Sequence, residues 1–119
     1  MPENAAAKAA SHLTIVTSTE GDATMIRCSG KLVAGGTAVL QNQVRDLLPG
    51  SKRIVLDLAD LGYMDSSGLG TIIGLHTTAK SAGGRLELIN MSQRVRELFR
   101  ITKVLSLFEA PGEPSTANP

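Results

Sequence analysis

The stretch RIVLDLADLGYMDSSGLGTIIGL, residues 53–75, passes from an apolar run into a segment with helical spacing. At the junction it places Asp65, Ser66, Ser67, Gly68, Leu69 and Gly70 in a row. Its first part, RIVLDLADL, is short, β-branched at the start and almost wholly apolar, which is how a strand covered on both faces reads. Its second part sets Leu69, Ile72, Ile73, His76 and Ala79 at i, i+3, i+4, i+7 and i+10, one face of a helix that SAGG at 81–84 ends. A strand feeding directly into a helix is the repeating unit of an α/β fold.

The flanking sequence supplies the other units. LTIVT at 13–17 puts Leu13 and Ile15 on one face, and MIRCSGKL at 25–32 alternates Ile26, Cys28, Gly30 and Leu32 with Arg27, Ser29 and Lys31, the period of a half-buried strand. TEGDA between them is a turn, which predicts a hairpin. In TAVLQNQVRDLLPG, Leu40, Val44, Leu47 and Leu48 define an amphipathic helix that Thr37 can cap and Pro49-Gly50 stops. Downstream, RLELIN (85–90) is a fourth strand and SQRVRELFRI (92–101) a third helix with Val95, Leu98 and Phe99 inward. Ser92 is its N-cap, Met91 precedes it as a staple residue, and LSLFE (105–109) reads as a last short strand. The order β-β-α-β-α-β-α-β predicts a single α/β domain with a mixed sheet of about five strands, packed with three or more helices. Parallel neighbours are then joined by right-handed crossovers. The domain is expected over 13–109. Residues 1–12, alanine-rich and polar, and 110–119, with three of the five prolines, lack the apolar side chains to offset ordering entropy and are expected to be flexible tails.

Composition removes several function classes. Twelve basic against eleven acidic side chains leave a formal charge of +1, no whole-protein field for a nucleic acid or an anionic membrane. Aromatic residues are 3% (Tyr63, Phe99, Phe108), too few to stack single-stranded bases. One cysteine, Cys28, excludes an internal disulfide and any multi-cysteine metal site and favours a reducing compartment. The opening MPENAAAKAASH carries Glu3 and Lys8 and no long apolar run. No stretch approaches the roughly 18–20 apolar residues of a membrane span, so a cytoplasmic protein is expected.

Chemistry at residues 65–70 can take three forms. A nucleophile elbow requires glycine two residues on either side of the serine, and Met64 stands where the first would be. As bases, His76 lies ten residues along the same helix, about 15 Å away, and His12 falls in the expected N-terminal tail. Asp65 is a weak base for a hydroxyl. No phosphate loop or dinucleotide fingerprint occurs, and Asp57, Asp60 and Asp65 are not spaced as a calcium loop, so no enzyme, cofactor or metal site is expected. Two readings stay open. Asp65 or Ser66 can serve as an N-cap, with Gly68 and Gly70 easing close packing. Alternatively, a phosphate can be added to a serine at a helix N-terminus, where free amides and the dipole accept negative charge.

VLDLADLGYMDSSGLGTIIGL together with AGGRLELINMSQRVRELFRITKV closely resembles the STAS domains of bacterial anti-sigma factor antagonists, whose hallmark is a D-S-[ST]-G-L-G stretch after a hydrophobic strand. The resemblance covers about 30–109. It implies a non-enzymatic switch whose unphosphorylated form binds a serine-kinase anti-sigma factor of histidine-kinase-like ATPase fold and so frees the sigma factor. The kinase phosphorylates the serine after the aspartate, here Ser66, and a PP2C-type phosphatase restores it. Ser67 takes the neighbouring hydroxyl position and Asp65 the acidic contact, with Gly68, Leu69 and Gly70 completing the partner-binding surface. Where such members commonly read G-E-[IL]-D after the second strand, this chain reads Gly30, Lys31, Leu32, Val33, which reverses the local charge. The alternative the resemblance leaves is a STAS interaction subunit of a transporter or signalling scaffold that is never phosphorylated. Arg94, Arg96, Arg100 and Lys103 on the third helix read as a solvated face, and His76 as a partly buried helix residue.

Overall fold

The computed structural model describes residues 13–108; both expected tails, His12 and Glu109 lie outside them. β1 (Leu13–Glu20) and β2 (Ala23–Leu32) form the predicted hairpin, antiparallel from Leu13 opposite Gly30 to Glu20 opposite Ala23. Gly21, at φ 62°, takes the left-handed conformation that lets two residues reverse the chain. α1 (Thr37–Leu47), β3 (Arg53–Met64), α2 (Ser66–Ser81), β4 (Arg85–Ile89) and α3 (Gln93–Ile101) follow, then a 3₁₀ turn at Leu105–Phe108. The strands lie side by side in chain order, with β2, β3 and β4 mutually parallel. The mixed sheet of a single α/β domain is therefore present.

All three helices pack on one face. Two right-handed crossovers that progress in the same direction put α1 and α2 on the same side, and α3 adds Val95 and Phe99 to the same cluster. That cluster joins Ile26, Cys28 and Leu32 of β2 and Ile54, Leu56 and Leu58 of β3 to Leu40, Val44, Leu69, Ile72, Leu75 and Ala79 of the helices. The other face carries Arg27 against Asp60 (3.1 Å), Arg53 against Glu87 (3.1 Å), Arg85 against Glu87 (2.7 Å), and Asn90 donating to Asp57 (3.1 Å). Ile54, Val55 and Leu56 are buried as expected of a doubly covered strand, but among the described residues charged side chains, not a helix layer, stand on that second face.

Two sequence expectations are corrected. LSLFE supplies no fifth strand: Leu105–Phe108 is a 3₁₀ turn, and the sheet has four strands among the described residues. Three residues per turn bring Leu105 and Phe108 onto one side, where both pack on the core, so a short alternating run satisfies this geometry as well as a strand. Thr37 is the first residue of α1, not its cap. Gly36 holds the cap position with no side-chain bond.

Glycines at the end of α2 act in two ways. Gly83, at φ 83°, allows the Gly84 amide to bond the Ala79 carbonyl (2.9 Å) and the Gly83 amide that of Lys80 (3.1 Å), the paired closure of a Schellman C-terminus. A Cβ at Gly84 would stand 2.5 Å from the Lys52 carbonyl oxygen, whose acceptance of the Arg85 amide (2.7 Å) starts β4. β3 also departs from regular pairing. Register shifts between Arg27 and Ser29 and between Gly30 and Lys31 each insert one extra β3 residue. Burial beyond Asp57 accordingly falls on every third residue, Leu58, Leu61 and Met64, and Met64 ends level with Leu32.

Candidate functional site at the start of helix α2

The end of β3 and the end of β2 meet at Asp65. Its backbone is extended (φ −103°, ψ −173°), and its amide donates to the Leu32 carbonyl (3.3 Å). Its carboxylate accepts the Gly68 amide at 3.0 Å, closing the first turn of α2, and the Ala34 amide at 3.3 Å, tying down the loop after β2. These amides, Gly68 foremost, hold the Asp65 carboxyl below the usual carboxylate range. Of the two cap candidates, Asp65 is the cap.

Ser66 and Ser67 are therefore the first two helical residues, both exposed, and neither hydroxyl is spent on capping. Ser66 makes no side-chain hydrogen bond among the described residues. The Ser67 carbonyl accepts from the Thr71 hydroxyl at 2.9 Å. Gly68 is buried: a Cβ there would collide with the Leu32 carbonyl oxygen and stand 2.8 Å from Met64 Cγ. Gly70 differs, since it is exposed and a Cβ would meet nothing within 4 Å, so only Gly68 serves close packing. Leu69, 7% exposed, anchors this turn in the core.

Lys31 and Val33 flank Leu32 and are brought beside this turn by its bond to Asp65. Lys31 is exposed, and its register partner on β3 is Tyr63, 42% exposed. Val33 is half-buried, and its carbonyl accepts the Gly36 amide (2.9 Å) in the turn that leads to α1. The site residues expected from the sequence thus converge on one corner. Two that the sequence did not signal join them: Ala34 through its amide, and Tyr63, the register partner of Lys31, as exposed apolar surface.

Other candidates lie apart. His76 packs edge-on against Phe108 (centroids 5.0 Å), which in turn meets Phe99 (5.7 Å). It lines a cavity of about 620 Å³ with Lys80, Leu86, Leu88 and Phe108, toward the far end of α2 from Ser66. Arg100 is ion-paired with Glu97, while Arg94 and Arg96 are exposed as the solvated-face reading expects. No group of three potential metal ligands occurs among the described residues, and no described helix is long and apolar enough to cross a membrane.

The family model for the STAS domain matches residues 14–118. The anti-sigma-B factor antagonist of Bacillus subtilis is 31% identical over 84 residues, covering 71% of this chain and 77% of that protein. Among solved structures, an anti-sigma factor antagonist from Mycobacterium paratuberculosis superposes with a TM-score of 0.73 at 14% identity, over 88% of this chain and 91% of that one. The anti-sigma factor antagonist SpoIIAA, described in its unphosphorylated form, gives 0.68 at 20% identity over 88% and 94%. The Bacillus cell fate determinant SpoIIAA in the phosphorylated form gives 0.65 at 19% identity over 88% and 97%. A capped Asp-Ser-Ser-Gly-Leu-Gly turn at the carboxyl ends of the parallel strands, the four-stranded mixed sheet and a match across nearly the whole sequence agree: the chain belongs to the STAS domain family.

Proposed function

We propose that this chain is an anti-sigma factor antagonist switched by phosphorylation of Ser66. The unmodified form binds a serine-kinase anti-sigma factor of histidine-kinase-like ATPase fold and so releases the sigma factor. The kinase inactivates it by phosphorylating Ser66, and a PP2C-type phosphatase reverses the step. The observation that carries this reading is the division of labour at the turn. Asp65 already satisfies the cap, so the exposed Ser66 hydroxyl is free of any structural bond among the described residues. A phosphate of about −1.5 to −2 charge there meets the positive end of α2 and leaves the core untouched, so the surface changes while the fold stays. Within an interface the same charge, without a partner cation, is strongly unfavourable. About 2.7 kcal/mol suffices for a hundredfold loss of affinity. The relatives' names support the anti-sigma role.

The test is incubation with a serine-kinase anti-sigma factor and ATP, followed by phosphosite mapping by mass spectrometry. Ser66 is the expected site, Ser66→Ala binds and resists inactivation, and Ser66→Asp loses binding. Phosphate absent from Ser66, together with unaltered binding of Ser66→Asp, refutes the switch.

A further inference from the structure

We infer that the cavity beside β4 is a binding site for a small dissolved acid with an apolar body, such as a medium-chain carboxylate. At about 620 Å³ it falls within the roughly 300–1,000 Å³ of small-molecule sites. Three elements wall it. α2 supplies His76 and Lys80, one helical turn apart, β4 supplies Leu86 and Leu88, and the 3₁₀ turn supplies Leu107 and Phe108. None of these residues belongs to the corner that carries Ser66, so the site is separate from the proposed switch.

The wall calls for an apolar body. Leu86 belongs to the core and Leu88 packs against it, while Leu107 is left 44% exposed, a large apolar side chain that a ligand in the cavity would cover. Charge selects the head group. Lys80 is exposed and has no acidic partner among the described residues; other surface cations share that condition, but Lys80 is the one that lines this apolar space. The one carboxylate in the lining, Glu87, is already engaged by Arg53 (3.1 Å) and by Arg85 (2.7 Å), which also lines the cavity. Lys80 and Arg85 against Glu87 leave the lining one positive charge in excess. His76 adds a polar contact. Its Nδ1 is buried with no hydrogen-bond partner, so a proton there would be a donor without an acceptor. The ring's N–H is therefore at Nε2, a donor suited to a carboxylate oxygen. A whole-chain charge of only +1 gives no field for an anionic membrane, which favours a dissolved acid over a lipid surface.

The experiment titrates octanoate into the full chain and follows the methyl resonances of Leu86, Leu88 and Leu107, with octanol and octyltrimethylammonium as probes of the same body and a neutral or positive head. Octanoate is expected to give saturable shifts at these three leucines. Octanol should bind about threefold more weakly, octyltrimethylammonium more weakly still, and Lys80→Glu should lower octanoate affinity about tenfold with an unchanged melting curve. Octanol or octyltrimethylammonium binding as tightly as octanoate, shifts that do not saturate, or Lys80→Glu binding octanoate unchanged overturns the inference. Nuclear Overhauser contacts between these leucines and residues 109–119 in the free protein overturn it as well, since the chain then fills its own cavity. No kinase enters the measurement, so its outcome is independent of whether Ser66 is phosphorylated.

Discussion

Leu32 and Gly68 are in direct contact: the Leu32 carbonyl oxygen fills the space that a side chain at residue 68 would need, so the first turn of α2 rests on the end of β2. Gly68→Ala is expected to cost about 1–3 kcal/mol in urea unfolding, because the neighbours it strikes are main chain and a buried side chain. Gly70→Ala, two residues on in open space, should instead be neutral or stabilise by about 0.5–1 kcal/mol through helix propensity. Equal effects at the two positions would contradict this packing.

Acid should loosen the same turn. Asp65 has its folded-state carboxyl held below the ordinary range by the Gly68 and Ala34 amides. Its contribution is therefore complete above the unfolded value of about 4 and is lost as the pH falls through the lowered folded value. The stability difference between the unmodified chain and Asp65→Asn should be constant near neutrality and narrow below about pH 4. Glu97, also lowered beside Arg100, titrates in both proteins and cancels in the difference. A gap that stays constant into acid would remove the capping role.

Cys28 is fully buried, and its thiol is pushed up to about 12 by burial and, secondarily, by the Asp57 charge. Since the thiolate is the reactive form, iodoacetamide at pH 8 should leave the folded protein unlabelled. Labelling should rise with urea in step with the loss of helical circular dichroism. Rapid labelling without denaturant would show that β2 opens locally.

The end of α3 contains strain that can be removed. The Lys103 amide bonds the Arg100 carbonyl (3.0 Å) and the Val104 amide bonds that of Phe99 (3.1 Å), which forces Lys103 to φ 64° in a conformation that glycine adopts without cost. Lys103→Gly should stabilise by about 1 kcal/mol in chemical denaturation. Destabilisation would mean that the lysine side chain contributes more than its backbone costs.

Periodicity made most of the fold legible. The alternation through Ile26, Cys28 and Leu32 and the spacing of Leu40 and Val44 follow directly from which side faces the core. Where the structure went elsewhere, the cause is local. Leu105 and Phe108 fit either a short strand or one tight turn. The three-residue spacing of Leu58, Leu61 and Met64 depends on bulges that only the neighbouring strand imposes. Leu75 is buried in α2 although it lay outside the stripe drawn through Leu69, Ile72 and His76. At the site, residue identities pointed to Asp65 and Ser66, but spacing alone could not choose the cap. The choice depends on the Ala34 amide and the Leu32 carbonyl, main-chain groups that side-chain patterns do not encode.

The hydrogen bonds that the Asp65 amide donates to the Leu32 carbonyl and that its carboxylate accepts from the Ala34 amide join two stretches some thirty residues apart. Ser66 thus acquires its flanking surface only after β2 and β3 have paired. A nascent or unfolded chain carries the same serine in the same local sequence but without Lys31, Val33 and Ala34 at its side. Under the proposed switch, a kinase that docks on both segments would spend ATP only on molecules that have finished folding.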